Sequence, residues 1–226
     1  MATETVLVEH QFATLEQQHR AATLGMWVFL ATEIMVFGVL ICGFVSYRAI
    51  YSDAFEAMSS HLNVGIGAIN TVVLLTSSLT MALAVYSIQV GNLRMTYWCL
   101  ALTAALGTAF LVLKGVEYYS DYVDNLMPRI AFKPEADEWR SLGIDGAKHV
   151  ELALTFYYFM TLLHALHLTI GIALLLFLII AVSRRTVTPQ RYMPVEIIGL
   201  YWHFVDVVWI FLLPLLYLIG THKTFW

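Results

Sequence analysis

Five apolar stretches dominate the chain, at about 22–47, 62–89, 95–118, 150–182 and 196–219. Each is long enough to cross roughly 30 Å of hydrocarbon at about 1.5 Å rise per residue. A backbone without water must satisfy its own hydrogen bonds, which each stretch does as a helix. The composition agrees, with 60% hydrophobic and 12% charged residues and a mean hydropathy of +0.74, outside the range of soluble domains. The expected fold is therefore all-α, a polytopic membrane bundle of five transmembrane helices.

Residues 1–20 are polar and carry Glu4, Glu9 and Glu16. They do not follow the basic, apolar, small-residue order of a cleaved signal, so the first apolar stretch is expected to be a true span. The organisation expected is a cytoplasmic N-terminal segment, 1–21, and one membrane domain, 22–226. Within that domain, 119–149 is expected to be an external loop. Its basic residues are Arg129, Lys133, Arg140 and Lys148, against Asp121, Asp124, Glu135, Asp137, Glu138 and Asp145, a net charge of −2. Such a surface could steer a basic partner. Cys42 and Cys99 lie inside apolar stretches and read as small buried hydrophobes. A net charge of −4 without a basic cluster gives no sign of nucleic-acid binding.

Basic residues in short loops set orientation. Arg20, Arg94, Arg184, Arg185 and Arg191 fall on one side of the expected topology, and Arg48 and Lys223 on the other. The first side is expected to be cytoplasmic, with the N-terminus inside and the C-terminus outside.

Ionisable residues inside spans are costly and mark function or buried partners. In the last span Glu196, Gly199, His203 and Asp206 follow at steps of three, four and three residues, on one helix face. A polar stripe of this kind requires protein to cover it. In the fourth span His164 and His167 lie at a similar depth, so the two spans are expected to share a His/Asp hydrogen-bond cluster. Haem or metal ligation is the sharper reading. It is disfavoured because tetrahedral sites want three or four ligands and an i,i+3 pair on one helix is poor bis-His geometry. Glu33 stands near mid-membrane in the first span with nothing in its local sequence to neutralise it. It reads as a proton-related or lipid-contacting site, or as a carboxyl hydrogen-bonded to a neighbouring helix. Lys114 and Glu117, three apart at the outer end of the third span, are expected to pair, with Lys114 reaching outward. The small and hydroxyl residues of the second span, including Gly67, Asn70, Thr71, Ser77 and Thr80, favour close helix approach. From the residues alone, a five-helix bundle with a buried polar cluster and no catalytic constellation emerges.

These segments resemble the haem–copper oxidase subunit III family. Trp27 to Phe37 with Glu33, Asn70-Thr71, Glu117-Tyr118, His164-Ala165-Leu166-His167 and Tyr201-Trp202-His203-Phe204-Val205-Asp206-Val207-Val208-Trp209 resemble its successive helices in order. The closest form in plan is the five-helix bacterial one, lacking the first two helices of the mitochondrial protein. Lys114 departs from the mitochondrial pattern, which has Gln there. The resemblance implies a non-catalytic subunit of a terminal oxidase that stabilises the catalytic subunit and supports its proton uptake. No cofactor is expected on this chain beyond bound phospholipid; haem and copper belong to partner subunits. Expected partners are oxidase subunits I and II, membrane lipids and a larger respiratory supercomplex, in a bacterial plasma membrane. Glu33 would be the proton-related carboxyl. Glu117, His164, His167, His203 and Asp206 would fix the bundle, with Lys114 and Trp209 at an interface. A quinol oxidase, a nitric oxide reductase and a free-standing haem-binding protein stay as alternatives.

Overall fold

A computed structural model describes residues 11–123, 126–128 and 143–219. Six α-helices carry the described fold: α1 (Leu15–Ile50), α2 (Ser52–His61), α3 (Val64–Gln89), α4 (Leu93–Val123), α5 (Gly143–Ser183) and α6 (Met193–Tyr217). All except α2 are long and apolar enough to span a membrane. The five spans are those expected, with longer ends. Both flanks of the expected 119–149 loop are helical, 119–123 closing α4 and 143–149 opening α5. Of the residues invoked for its charge, Asp124, Arg129, Lys133, Glu135, Asp137, Glu138 and Arg140 lie outside the described residues, as does Lys223.

The unexpected element is α2. It is only 10 residues long and too polar to span, so a search for apolar stretches passes over it. Ala54, Phe55 and Met58 are nevertheless buried, and Phe55 packs edge-on against Phe44 of α1 at 4.9 Å between ring centroids. The helix packs chiefly on α5, with α1 and α6 beside it.

The α3–α4 connection is two-sided capping. Gly91 takes φ +85°, which lets the Asn92 N–H reach back to the Ser87 carbonyl at 2.8 Å and close α3. The Asn92 side chain then accepts from the Met95 N–H at 3.1 Å, opening α4. This turn touches Pro189 of the α5–α6 connection. Beside that connection the α1 end arrives, where the His19 ring meets Tyr192 at 5.9 Å. Arg20, Arg94, Arg184, Arg185 and Arg191 therefore gather at one end of the bundle. At the opposite end Tyr51 stacks on His149 of α5 at 3.8 Å.

The core sits where small residues let large ones in. A Cβ on Gly107 of α4 would come within 2.6 Å of the Trp202 ring, and one on Gly171 of α5 within 3.1 Å of it. Trp202 of α6 is thus clasped between two glycine notches. Gly67 of α3 likewise receives Leu213 and Tyr217 of α6, at 2.9 and 3.3 Å from where its Cβ would be. The expectation that α3 is built for close approach is met by these distances.

Candidate functional site

The polar side chains form separate layers through the bundle rather than one cluster. The layer nearest the arginine-rich end joins α3 to α6. His203 Nδ1 lies 2.7 Å from the Ser78 hydroxyl, and the Trp202 indole N–H donates to Ser77 at 3.1 Å. Asp206 is buried and reaches Ser78 as well, while its Oδ1 has no hydrogen-bond partner. Three members of the α6 stripe read from the sequence, Gly199, His203 and Asp206, face α3, with Gly199 against Met81 and Val85.

The second layer holds Glu33. Its Oε2 lies 3.0 Å from Nε2 of His167, linking α1 to α5. His167 Nδ1 donates to the Leu163 carbonyl at 2.8 Å, and the Tyr201 hydroxyl donates to the His167 carbonyl at 3.0 Å. A carbonyl only accepts, so Nδ1 must carry hydrogen. One proton is then shared between Nε2 and Oε2, either on a carboxylic acid that donates to neutral imidazole or on an imidazolium that donates to carboxylate. Both arrangements are net neutral. Side-chain exposures of 12% for His167 and 18% for Glu33 leave this pair at the edge of the bundle, not in its core. Phe37 closes over the imidazole at 5.3 Å.

His164 belongs elsewhere. Three residues before His167, its ring turns to α6, where Nε2 lies 3.1 Å from the Val205 carbonyl, and it packs against Phe110 and Trp209. The shared His/Asp cluster expected across these helices is thus divided: His164 meets α6 backbone, His167 meets α1, and His203 and Asp206 meet α3. A helix turns about 100° per residue, so i and i+3 diverge enough to serve different neighbours. Among the described residues, no three His, Cys, Asp or Glu side chains come together as a metal would require.

The third layer lies toward the opposite end. Lys114 pairs with Glu117 at 2.9 Å, as expected from their spacing, but it does not reach outward. Its ammonium is buried at 4% residue exposure and donates to Tyr217 at 2.7 Å and Tyr157 at 3.2 Å. The Tyr157 and Tyr217 hydroxyls donate to Glu117 Oε1. The rings of Tyr118, Tyr157, Trp209 and Tyr217 surround the cation at 5.2–5.6 Å. The interface expected for Lys114 and Trp209 is therefore corrected: Trp209 is fully enclosed, its indole N–H donating to Thr71 at 3.1 Å. Four aromatic faces and a carboxylate hold the ammonium better than the membrane edge could. Sequence reasoning missed Tyr157 and Tyr217 as partners, although each is a tyrosine in an apolar run whose hydroxyl needs an acceptor.

Comparison with known proteins decides the family. The model of the family described as cytochrome c oxidase subunit III matches residues 2–124 and 151–221. The chain belongs to this family. Cytochrome c oxidase subunit 3 of Thermostichus vulcanus is 32% identical over 201 residues, covering 87% of this chain and 86% of that protein. Quinol oxidase subunit 3 of Bacillus spizizenii is 30% identical over 224 residues, covering 94% and 96%. Cytochrome c oxidase subunit 3 of Alkalihalophilus pseudofirmus is 29% identical over 208 residues, covering 92% and 90%. As a member of the subunit III family, the chain is a multi-pass membrane protein of a respiratory oxidase.

Proposed function

We propose that the chain is the non-catalytic subunit III of a bacterial aerobic terminal oxidase of the cytochrome c oxidase type. It stands in the plasma membrane beside catalytic subunit I and subunit II, which hold the haem and copper. It braces the catalytic subunit and supports proton uptake during oxygen reduction. The N-terminus and the arginine-rich end face the cytoplasm, in keeping with the basic residues gathered there.

The observation that carries the proton-related part is the Glu33–His167 pair. Two titratable groups at mid-span share one proton, partly open at the bundle edge. A purely structural link would favour full enclosure, as in the Lys114 layer. While the pair holds this proton it places no net charge in the membrane; passing the proton on leaves one negative charge on Glu33 until the next proton arrives. The Lys114–Glu117 and His203–Ser78 layers hold the helices that present it.

A quinol-oxidase assignment is the second reading, favoured by the Bacillus spizizenii relative, which bears that name at similar identity. The deciding experiment is purification through a tag on this chain in mild detergent, with mass spectrometry and an optical spectrum. Recovery of a haem- and copper-containing catalytic subunit with a copper-bearing subunit II supports the cytochrome c type. A subunit II without copper moves the assignment to quinol oxidase. Haem protein without any copper indicates a nitric oxide reductase partner and overturns the proposal. A Soret band on the chain alone does so too.

A further inference from the structure

A further group of phenols stands beyond the sealed Lys114 layer, toward the end of α4. The Tyr158 hydroxyl of α5 donates to Asp121 of α4 at 2.9 Å, and Asp121 is buried. The Tyr158 ring lies 5.3 Å from Tyr118 and 5.0 Å from Tyr157 between centroids. Tyr157 meets Tyr217 at 6.1 Å, and Tyr217 meets Trp209 at 6.4 Å. An unbroken run of edge-on rings thus leads from the enclosed Trp209 to Tyr158. Rings this close exchange electrons, so an oxidising equivalent on one of them moves to the ring that holds it best.

Charge ranks the rings. Removing an electron leaves a ring positive unless a proton departs with it. The Lys114 ammonium lies 5.2–5.6 Å from the centroids of Tyr118, Tyr157, Trp209 and Tyr217 and opposes positive charge on each. Among the described residues no cation lies over Tyr158. Proton acceptors rank them the same way. Tyr157 and Tyr217 both donate to Glu117, but that carboxylate is the partner of Lys114. Protonating it would strand a buried ammonium. Tyr118 meets only the Thr161 hydroxyl, and the Trp209 N–H meets Thr71; neither hydroxyl is a base. Tyr158 has a carboxylate of its own.

We propose that Tyr158 is a one-electron donor, a radical trap for this aromatic interior, with Asp121 as the base that receives its phenolic proton. The oxidant is a peroxyl radical of the surrounding lipid chains. Tyr158 gives it an electron, directly or through its ring neighbours, as the phenolic proton shifts to Asp121, and the peroxyl anion takes a proton from water. The products are a neutral tyrosyl radical, protonated Asp121, a lipid hydroperoxide and hydroxide. The site is separate from the Glu33–His167 pair and does not depend on which oxidase the chain serves.

The test exposes the tagged complex to peroxyl radicals from a lipid-soluble azo initiator. Electron paramagnetic resonance of the frozen sample reads the radical, and tandem mass spectrometry maps oxidised residues on this chain. The expected result is oxidation at Tyr158 with Tyr157, Tyr217 and Trp209 intact, and a tyrosyl signal that Tyr158→Phe removes. Tyr158→Phe should also raise oxidation at Tyr157 and Trp209 several-fold. Asp121→Asn keeps an acceptor for the Tyr158 hydroxyl but is no base. It should lower the Tyr158 products about 100-fold, the low end of what a positioned base contributes to proton transfer. Recovery of the complex verifies each fold, and where Tyr158→Phe is not recovered Asp121→Asn decides. Products confined to Tyr119 and Tyr122, which are 70% and 51% exposed, overturn the proposal. So does an unchanged Tyr158 yield in Asp121→Asn, which would make Tyr158 a phenol oxidised by exposure alone.

Discussion

Lys114 lies buried beside Glu117 with its ammonium donating to Tyr157 and Tyr217, a cation held entirely by side chains inside the bundle. Its spacing to Glu117 is an i,i+3 signal, and the pair forms. Its direction was not legible, because the aromatic partners come from α5 and α6, 43 and 103 residues away. The same holds for Glu33, whose depth was readable in α1 while its partner His167 lies 134 residues on. Local spacing reports which residues share a helix face; it carries no information on which helix that face meets. The two sites should answer mutation differently. Lys114→Met leaves Glu117 buried without its cation, and should cost about 3–5 kcal/mol. The double change Lys114→Met, Glu117→Gln removes both charges and should recover much of that loss, measured by thermal unfolding of the purified complex. Glu33→Gln keeps a donor toward Nε2 of His167 but cannot release a proton. It should keep stability within about 1 kcal/mol of wild type while oxygen-reduction activity fades faster over repeated turnovers. Equal persistence of activity in Glu33→Gln and wild type would remove the proton-related role and leave a structural hydrogen bond.

At the scale of elements, the five spans were legible because twenty or more apolar residues have few fates other than crossing a membrane. The missing element, α2, is short and amphipathic, and its helicity comes from burying Phe55 and Met58 against α1 and its neighbours, a tertiary cause. Close packing of α3 was visible in its small residues. The notch that matters most was not: Gly107 and Gly171 look ordinary in their runs until Trp202 arrives from α6. Gly107→Val should therefore be severe. Even its Cβ meets the indole at 2.6 Å, and the added methyls must push α6 off α4, at about 1–3 kcal/mol or more. Gly91→Ala acts on a turn instead, where φ +85° is strained for any side chain. It should cost about 1 kcal/mol, with no change in the core. Melting temperatures of the two variants, each compared with Gly115→Ala, whose Cβ meets nothing within 4 Å, separate notch, turn and background effects.

The whole molecule is a bundle whose polar layers are graded by enclosure. The Lys114 layer is sealed, and the His203–Ser78 layer is half-covered by α3. The Glu33–His167 pair lies at the edge, between α1 and α5. This grading predicts how assembly and function separate. His203→Ala removes one of the two α6 side chains that meet the Ser78 hydroxyl, leaving Asp206 alone there, and loosens α3 from α6. Asp206→Ala removes a buried carboxyl whose Oδ1 is already unsatisfied, so its loss should be the milder of the two. His203→Ala should lower recovery of the subunit with its complex by a destabilisation of about 1–3 kcal/mol. Glu33→Ala should leave recovery near wild type, because α1 holds to the bundle chiefly through Leu30, Phe37 and Phe44. Quantitative mass spectrometry of the tagged complex reads all three. A Glu33→Ala complex that forms normally yet loses activity during turnover would place the edge pair in function and the enclosed layers in architecture. A Glu33→Ala chain that no longer assembles would make the edge pair one more brace, and the gradient of enclosure would then have no functional meaning.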